Sequence, residues 1–162
     1  MNAPDIIVPS VAGTPVGGGI YAGRFYVGDR AFGLIVAPAE VGDLDKTAWG
    51  DAKKVSGALS YNDGLANTQA MASAGSALGK WAQGLRIGDF EDWYVPSRLE
   101  ALIAFGEVHA AAAFARDWYW TSTQYAGAAG CARYQDFLTG YQYYGLKSAQ
   151  LRCRAVRRFP IQ

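Results

Sequence analysis

The stretch Asp92-Trp93-Tyr94-Val95-Pro96-Ser97-Arg98-Leu99-Glu100 decides how this chain is read. Its second half spells a helix start. The Ser97 hydroxyl can accept from the amide of Glu100 while the Glu100 carboxylate reaches back, which is a capping box. Leu99, Leu102 and Ile103 then supply an apolar helical face. In its first half, Asp92 suits a turn through bonds to nearby amides. Trp93 brings a large apolar area that a small mixed domain places where helix meets sheet, and the same role is expected for Trp118 and Trp120.

Upstream, Met71, Ala74, Leu78, Trp81 and Leu85 recur at alternating spacings of three and four. That period predicts one helix with all five on one face, capped by Asn67 and ended by Gly84 or Gly88. Farther back, Ile20 to Val27 and Ala31 to Ala37 read as strands of a hairpin turning at Gly28-Asp29-Arg30. Residues 38 to 60 read as surface loop anchored by Trp49. Residues 1 to 19 mix Ile6-Ile7-Val8 with Pro4, Pro9, Pro15 and several glycines, which suits an extended arm that grips a neighbour. Asp63-Gly64 reads as a turn.

Downstream, Glu107 to Ala115 is expected to be helical, or a loop with one helical turn. Trp118 to Thr121, Ala132 to Phe137 and Leu151 to Phe159 read as strands, with Gly127, Gly130, Gly140 and Gly145 in the connections. The order strands, helices, strands predicts an α+β domain over residues 20 to 162. Two main helices pack on a mixed antiparallel sheet with long loops, and its first and last strands can lie side by side.

Bulk properties narrow the function. A chain of 162 residues, 51% hydrophobic, buries one core. A net charge of +1 gives no field toward nucleic acid or an anionic membrane. No apolar run is long enough to span a bilayer and no basic leader precedes one, so synthesis in the cytoplasm without export is expected. Cys131 and Cys153 lack the companions of a metal site and read as reduced thiols, though a bridge becomes feasible if their strands are neighbours. His109 has no partner motif for nucleophilic catalysis. The glycines from Gly17 to Gly23 lack the Lys-Ser/Thr ending of a phosphate loop. No paired carboxylates mark a hydrolase. The expectation is a non-enzyme without cofactor or metal.

Four blocks carry a resemblance: Ser60-Tyr61-Asn62-Asp63-Gly64-Leu65-Ala66-Asn67-Thr68, Asp92 to Ser97, Trp118-Tyr119-Trp120-Thr121-Ser122-Thr123-Gln124, and Leu151-Arg152-Cys153-Arg154-Ala155-Val156-Arg157-Arg158. In order and spacing they resemble the Lcl C-terminal domain family, whose fold is similar to C-type lectins and many of whose members belong to tailed phages and prophages. The resemblance implies a C-type lectin-like virion protein at the tail, baseplate or fibre tip. Such a protein is assembled in the bacterial cytoplasm as a homo-oligomer and recognises a glycan or protein of the host surface. The alternative it implies is a capsid decoration or cement protein whose arm, residues 1 to 19, threads onto other virion proteins. The Glu-Pro-Asn or Gln-Pro-Asp triplet of calcium-dependent sugar binding is absent.

The candidate binding residues are Tyr125, Tyr134, Gln135, Tyr141, Gln142, Tyr143 and Tyr144, on glycine-punctuated segments. Tyrosine on a rigid frame offers large contact area at small entropic cost. Two readings stand: these rings form a docking face of loops, or alternate rings fill the sheet's core. Arg152, Arg154, Arg157 and Arg158 pair with carboxylates such as Asp92, Glu91 and Asp136, or form a basic patch for an acidic glycan.

Overall fold

The computed structural model describes residues 6–162. The start of the expected arm, Met1 to Asp5 with Pro4, lies outside the described residues. The elements in chain order are β1 (Pro15–Val16), β2 (Gly19–Val27), β3 (Arg30–Val36), α1 (Ala39–Gly42), β4 (Asp43–Thr47), α2 (Gly64–Ser73), α3 (Ala77–Gly84), α4 (Arg98–Val108), β5 (Trp118–Gln124), β6 (Cys131–Asp136), β7 (Gln142–Leu146), β8 (Leu151–Arg154) and β9 (Val156–Ile161). The class is α+β, but two sheets replace the single sheet expected. One runs β1-β2-β3-β9 and the other β4-β8-β5-β6-β7. Neighbours are antiparallel apart from β5 and β8, which meet in parallel at Tyr119 and Arg152.

The hairpin of β2 and β3 turns at Gly28-Asp29, where Gly28 takes φ +61°. The last strand, β9, joins β3 on its other side. Gly33 faces Phe159 in that pairing, and the Phe159 ring lies where a Cβ of residue 33 would sit. Ile6 and Val8, with Val16 of β1, pack against a buried cluster of Tyr21, Ile35, Trp93 and Phe159. Ile7 and Val11 stay exposed.

The stretch 38 to 60 holds more order than a surface loop. It forms α1 and β4, and Trp49 is fully buried, its indole N–H donating to the Thr121 carbonyl at 2.8 Å. The expected helix around Met71 to Leu85 is two helices. Gly75 adopts φ +92° between them, and Ser76 caps α3 by accepting from the Gly79 amide at 3.1 Å. Asp63, not Asn67, caps α2, accepting from the Ala66 amide. The buried Asn67 instead bonds the Ser60 backbone, which fastens the loop beneath it. The capping box of Ser97 and Glu100 starts α4 as read. The buried face of α4 carries Ala101, Ala104 and Val108, whereas Leu102 is exposed. The helix stops at Val108, and the chain then turns through Ala113, which has φ +53°. No helix among the described residues is long and apolar enough to cross a membrane.

Buried residues fall into three clusters. One centres on Phe25, Leu34, Tyr94 and Phe137, a second on Trp49, Met71, Leu78 and Trp120, and a third on Trp93 and Phe159. Each large apolar side chain sealed this way contributes roughly 1.5–3 kcal/mol. The segment Leu151 to Phe159 is not one strand: it breaks at Ala155, with β8 in one sheet and β9 in the other. Strand β5 lies between β8 and β6, so Cys153 and Cys131 are not on neighbouring strands, and both are free thiols. Burial raises the Cys153 pKa and keeps that thiol protonated.

Candidate functional site

Strand β7 ends its sheet, pairing only with β6 in the register Arg133↔Tyr144, Tyr134↔Tyr143 and Gln135↔Gln142. Side chains alternate between the two faces of a strand. The predicted site residues therefore divide between the two sides of this hairpin. Tyr134 and Gln135 stand on the strand expected there, Gln142, Tyr143 and Tyr144 stand on β7 where loop was expected, and Tyr125 and Tyr141 lie just outside strands.

On one side stand Tyr134, Tyr141 and Tyr143, joined by Trp118. Ring centroids run 5.1 Å from Trp118 to Tyr134, 5.8 Å from Tyr134 to Tyr143, and 6.2 Å from Tyr143 to Tyr141. Trp118 is 46% exposed, Tyr141 65% and Tyr143 44%, so these rings face solvent. Trp118 was expected in the core with Trp93 and Trp120. Trp120 does lie there, two residues along the same face, but Trp118 begins the strand and falls on the rim. Tyr134 is half-buried and packs beside Gly145, its diagonal neighbour on β7. Burial raises its phenol pKa.

On the other side Tyr125 and Tyr144 stack at 3.9 Å with planes 10° apart. The Arg133 guanidinium lies 4.6 Å from the Tyr125 ring and 5.4 Å from that of Tyr144, within cation–π range. Gln142 accepts from Arg98 Nε at 3.0 Å and donates to the Arg98 carbonyl at 2.8 Å and to Gln135 Oε1 at 2.9 Å. Gln135 is fully buried and serves as a strut behind this face, so it offers nothing to an outside partner. Arg98 also lies over the exposed Tyr61 ring, 5.3 Å from its centroid.

The turn that holds the hairpin is fixed by Asp136. Its carboxylate accepts from the Leu138 amide at 2.8 Å and the Thr139 hydroxyl at 3.0 Å. Burial works to raise the Asp136 pKa, yet these donors prevail and hold it below the usual carboxylate range. Gly140 closes the turn at φ +82°, against the Phe105 ring.

The four arginines of the C-terminal segment are neutralised. Arg157 pairs with Asp92 at 2.7 Å, Arg158 with Asp63 at 3.0 Å, and Arg154 with Asp43 at 2.8 Å. Arg152 reaches Asp43, Asp45 and Asp117. Asp92 is the partner expected, but Glu91 pairs with Arg86 and Asp136 is taken by its turn. These arginines form no free basic patch. Beside this face, Arg133 of β6 and Arg98, the first residue of α4, have no carboxylate partner among the described residues, and nothing local in the sequence distinguishes them. His109 ends α4, with Nδ1 2.7 Å from the Phe105 carbonyl and its ring stacked on Phe105. Among the described residues no group of three or more His, Cys, Asp or Glu side chains is placed to hold a metal ion.

A scan against protein-family models finds no match for this chain, and a search of curated proteins finds no similar sequence.

Proposed function

We propose that this protein is a structural component of a tailed-phage virion, placed at the tail, baseplate or fibre tip, that adheres to the host surface through the β6–β7 hairpin. The observation that carries the reading is the file Trp118, Tyr134, Tyr143 and Tyr141, which runs across β5, β6 and the edge strand β7, is exposed at all but Tyr134, and ends at a turn pre-set by Asp136. Large, stiff rings on a fixed frame are the side chains that dominate recognition surfaces. Without a partner, an exposed aromatic file has no folding benefit to explain it.

The fold supports a C-type lectin-like reading, because strands from both ends of the chain share one sheet while a second sheet carries the presenting hairpin. The four sequence blocks that resemble the Lcl C-terminal domain family supply the phage assignment. Exposed Ile7 and Val11 favour the N-terminal segment as the contact to neighbouring virion subunits.

The test is adsorption of purified protein to a panel of bacterial envelopes, together with electron microscopy of particles labelled at the C-terminus. Trp118→Ser with Tyr141→Ser and Tyr143→Ser should weaken adsorption by about 30-fold or more, given that a hot-spot ring is worth about 2 kcal/mol. Circular dichroism should stay unchanged. A folded variant that adsorbs like the parent, or label found away from the tail, overturns the proposal.

A further inference from the structure

We infer that the opposite side of the hairpin binds an oxyanion carried on a glycan, a carboxylate, sulfate or phosphate substituent, between Arg98 and Arg133. The inference rests on the recognition reading and gives its ligand a chemistry.

Charge pairing and burial together single these residues out, because Arg24, Arg30 and Arg116 also lack a carboxylate partner among the described residues but are exposed to solvent. Arg86, Arg152, Arg154, Arg157 and Arg158 each have a carboxylate within 3.4 Å. Arg98 and Arg133 have none among the described residues, although both are half-buried. Gln142, which holds Arg98, and Tyr144, which covers Arg133, lie two positions apart on one face of β7, so the two guanidinium groups are neighbours. Partly dried and without a counter-ion they repel, and an anion between them relieves that repulsion. Their mutual influence is visible in Arg98, whose pKa is lowered first by burial and next by the charge of Arg133.

Both side chains are also held ready. Arg98 commits Nε to Gln142 at 3.0 Å, which fixes the plane of its fork and leaves the terminal nitrogens to donate elsewhere. The Arg133 guanidinium makes no hydrogen bond to the described residues; its face is occupied by the stacked Tyr125 and Tyr144, so its in-plane donors are spare. Planar forks of this kind bind oxyanions through paired N–H donors. A glycan fits better than an acidic peptide because flat exposed rings flank the arginines. Two clefts of about 440 and 410 Å³ lie elsewhere, beside Gly17–Gly19 and beside Arg24 and Ile103.

Isothermal titration with a sulfated oligosaccharide, a glucuronate oligosaccharide and a glycerol-phosphate polymer, each against an uncharged counterpart, tests the inference. Polyglutamate serves as the peptide arm. At least one charged glycan should bind about tenfold or more tightly than its counterpart, with the advantage shrinking as salt rises. The preferred probe identifies the oxyanion. Arg133→Gln should remove that advantage, and Arg133→Lys should restore only part of it because the fork is lost. Arg24→Gln, the same charge change at a distant exposed site, should leave it intact. Equal binding of charged and neutral glycans, preference for polyglutamate, or an unaffected Arg133→Gln protein overturns the inference. Should envelope adsorption depend on Trp118, Tyr141 and Tyr143 but not on Arg133, this inference fails while the recognition reading stands; dependence on neither removes both.

Discussion

At the scale of single residues, two buried ionisable groups organise the loops around the core. The Glu100 carboxylate accepts from the Gly64 amide at 2.9 Å, the Ser97 amide at 3.0 Å and the Tyr94 hydroxyl. A Cβ on residue 64 would collide with Glu100 Oε1, so glycine is required there by the close approach. Burial raises the Glu100 pKa, with these hydrogen bonds pulling the other way. The folded state thus holds the Glu100 proton more tightly than the unfolded chain does. The stability this group adds is complete below the ordinary glutamate pKa and is lost as pH rises through the raised value. Glu100→Gln lacks that titration, so the advantage of the parent over this variant should shrink from acid to neutral pH in denaturant titrations. An advantage that is constant with pH would show that burial does not perturb Glu100. The second group is Lys147, 1% exposed, whose Nζ donates to the Lys53 carbonyl at 2.7 Å and Gln124 Oε1 at 2.9 Å and lies over the Trp49 ring. Burial lowers its pKa. Lys147→Ala should cost about 1–3 kcal/mol in urea titration, since the Lys53 carbonyl loses its donor, Gln124 Oε1 keeps only the Val55 amide, and the cation leaves the indole. A loss within about 0.5 kcal/mol, the usual range of surface substitutions, would mean the loop around Lys53 does not depend on it.

At the scale of elements, the hairpin separates what folds the protein from what it presents. Asp136→Ala removes the carboxylate that accepts from Leu138 and Thr139 and should cost about 1.5–3 kcal/mol, the worth of hydrogen bonds to a charged group. Adsorption should fall further than stability accounts for, because Tyr141 and Tyr143 lose their fixed spacing; equal adsorption by the folded variant would show the turn is not pre-organising. Local signals such as Ser97-x-x-Glu100 and the Gly28 turn were legible in the sequence, since their partners lie within four residues. The α2–α3 break was hidden because the spacing of three and four continues across Gly75, whose φ of +92° leaves no mark on that period. Asn67 looked like a cap for a related reason: its true partners, Ser60 and the Ser122 and Thr123 hydroxyls, come from a distant strand and the preceding loop. The tyrosine cluster was visible by composition, but the side each ring takes depends on the β6–β7 register. Trp118 could have been flagged by its place at the start of its strand. Arg98 and Arg133 could not, because lacking an acid is a property of the tertiary fold.

At the scale of the whole molecule, the two sheets are joined where the chain leaves β8 for β9. Ala155 sits at that crossing, donating to the Gly42 carbonyl at 2.9 Å and accepting from the Ala37 amide at 3.0 Å. One residue on, Val156 exchanges both backbone bonds with Tyr94, so the stretch that opens α4 is tied to the same seam. Arg154 locks it from within. Its guanidinium is almost wholly buried, pairs with Asp43 at 2.8 Å, donates to the carbonyls of Ala112 and Ala113, and covers the Phe114 ring. One side chain therefore fastens β4, the turn after α4 and the strand crossover, which couples the cluster of Trp49 and Trp120 to that of Phe25 and Tyr94. Removing Arg154 leaves Asp43 paired with Arg152 and takes the donor from the carbonyls of Ala112 and Ala113, at a cost of about 2–4 kcal/mol. Arg154→Ala should lose that much, whereas exposed Arg24→Ala should change stability by no more than about 0.5 kcal/mol. Coupling through the seam also requires that tryptophan fluorescence and far-ultraviolet circular dichroism trace a single urea transition in the parent protein. Two separated transitions would mean that the sheets fold as independent units and that Arg154 fastens only its own neighbourhood.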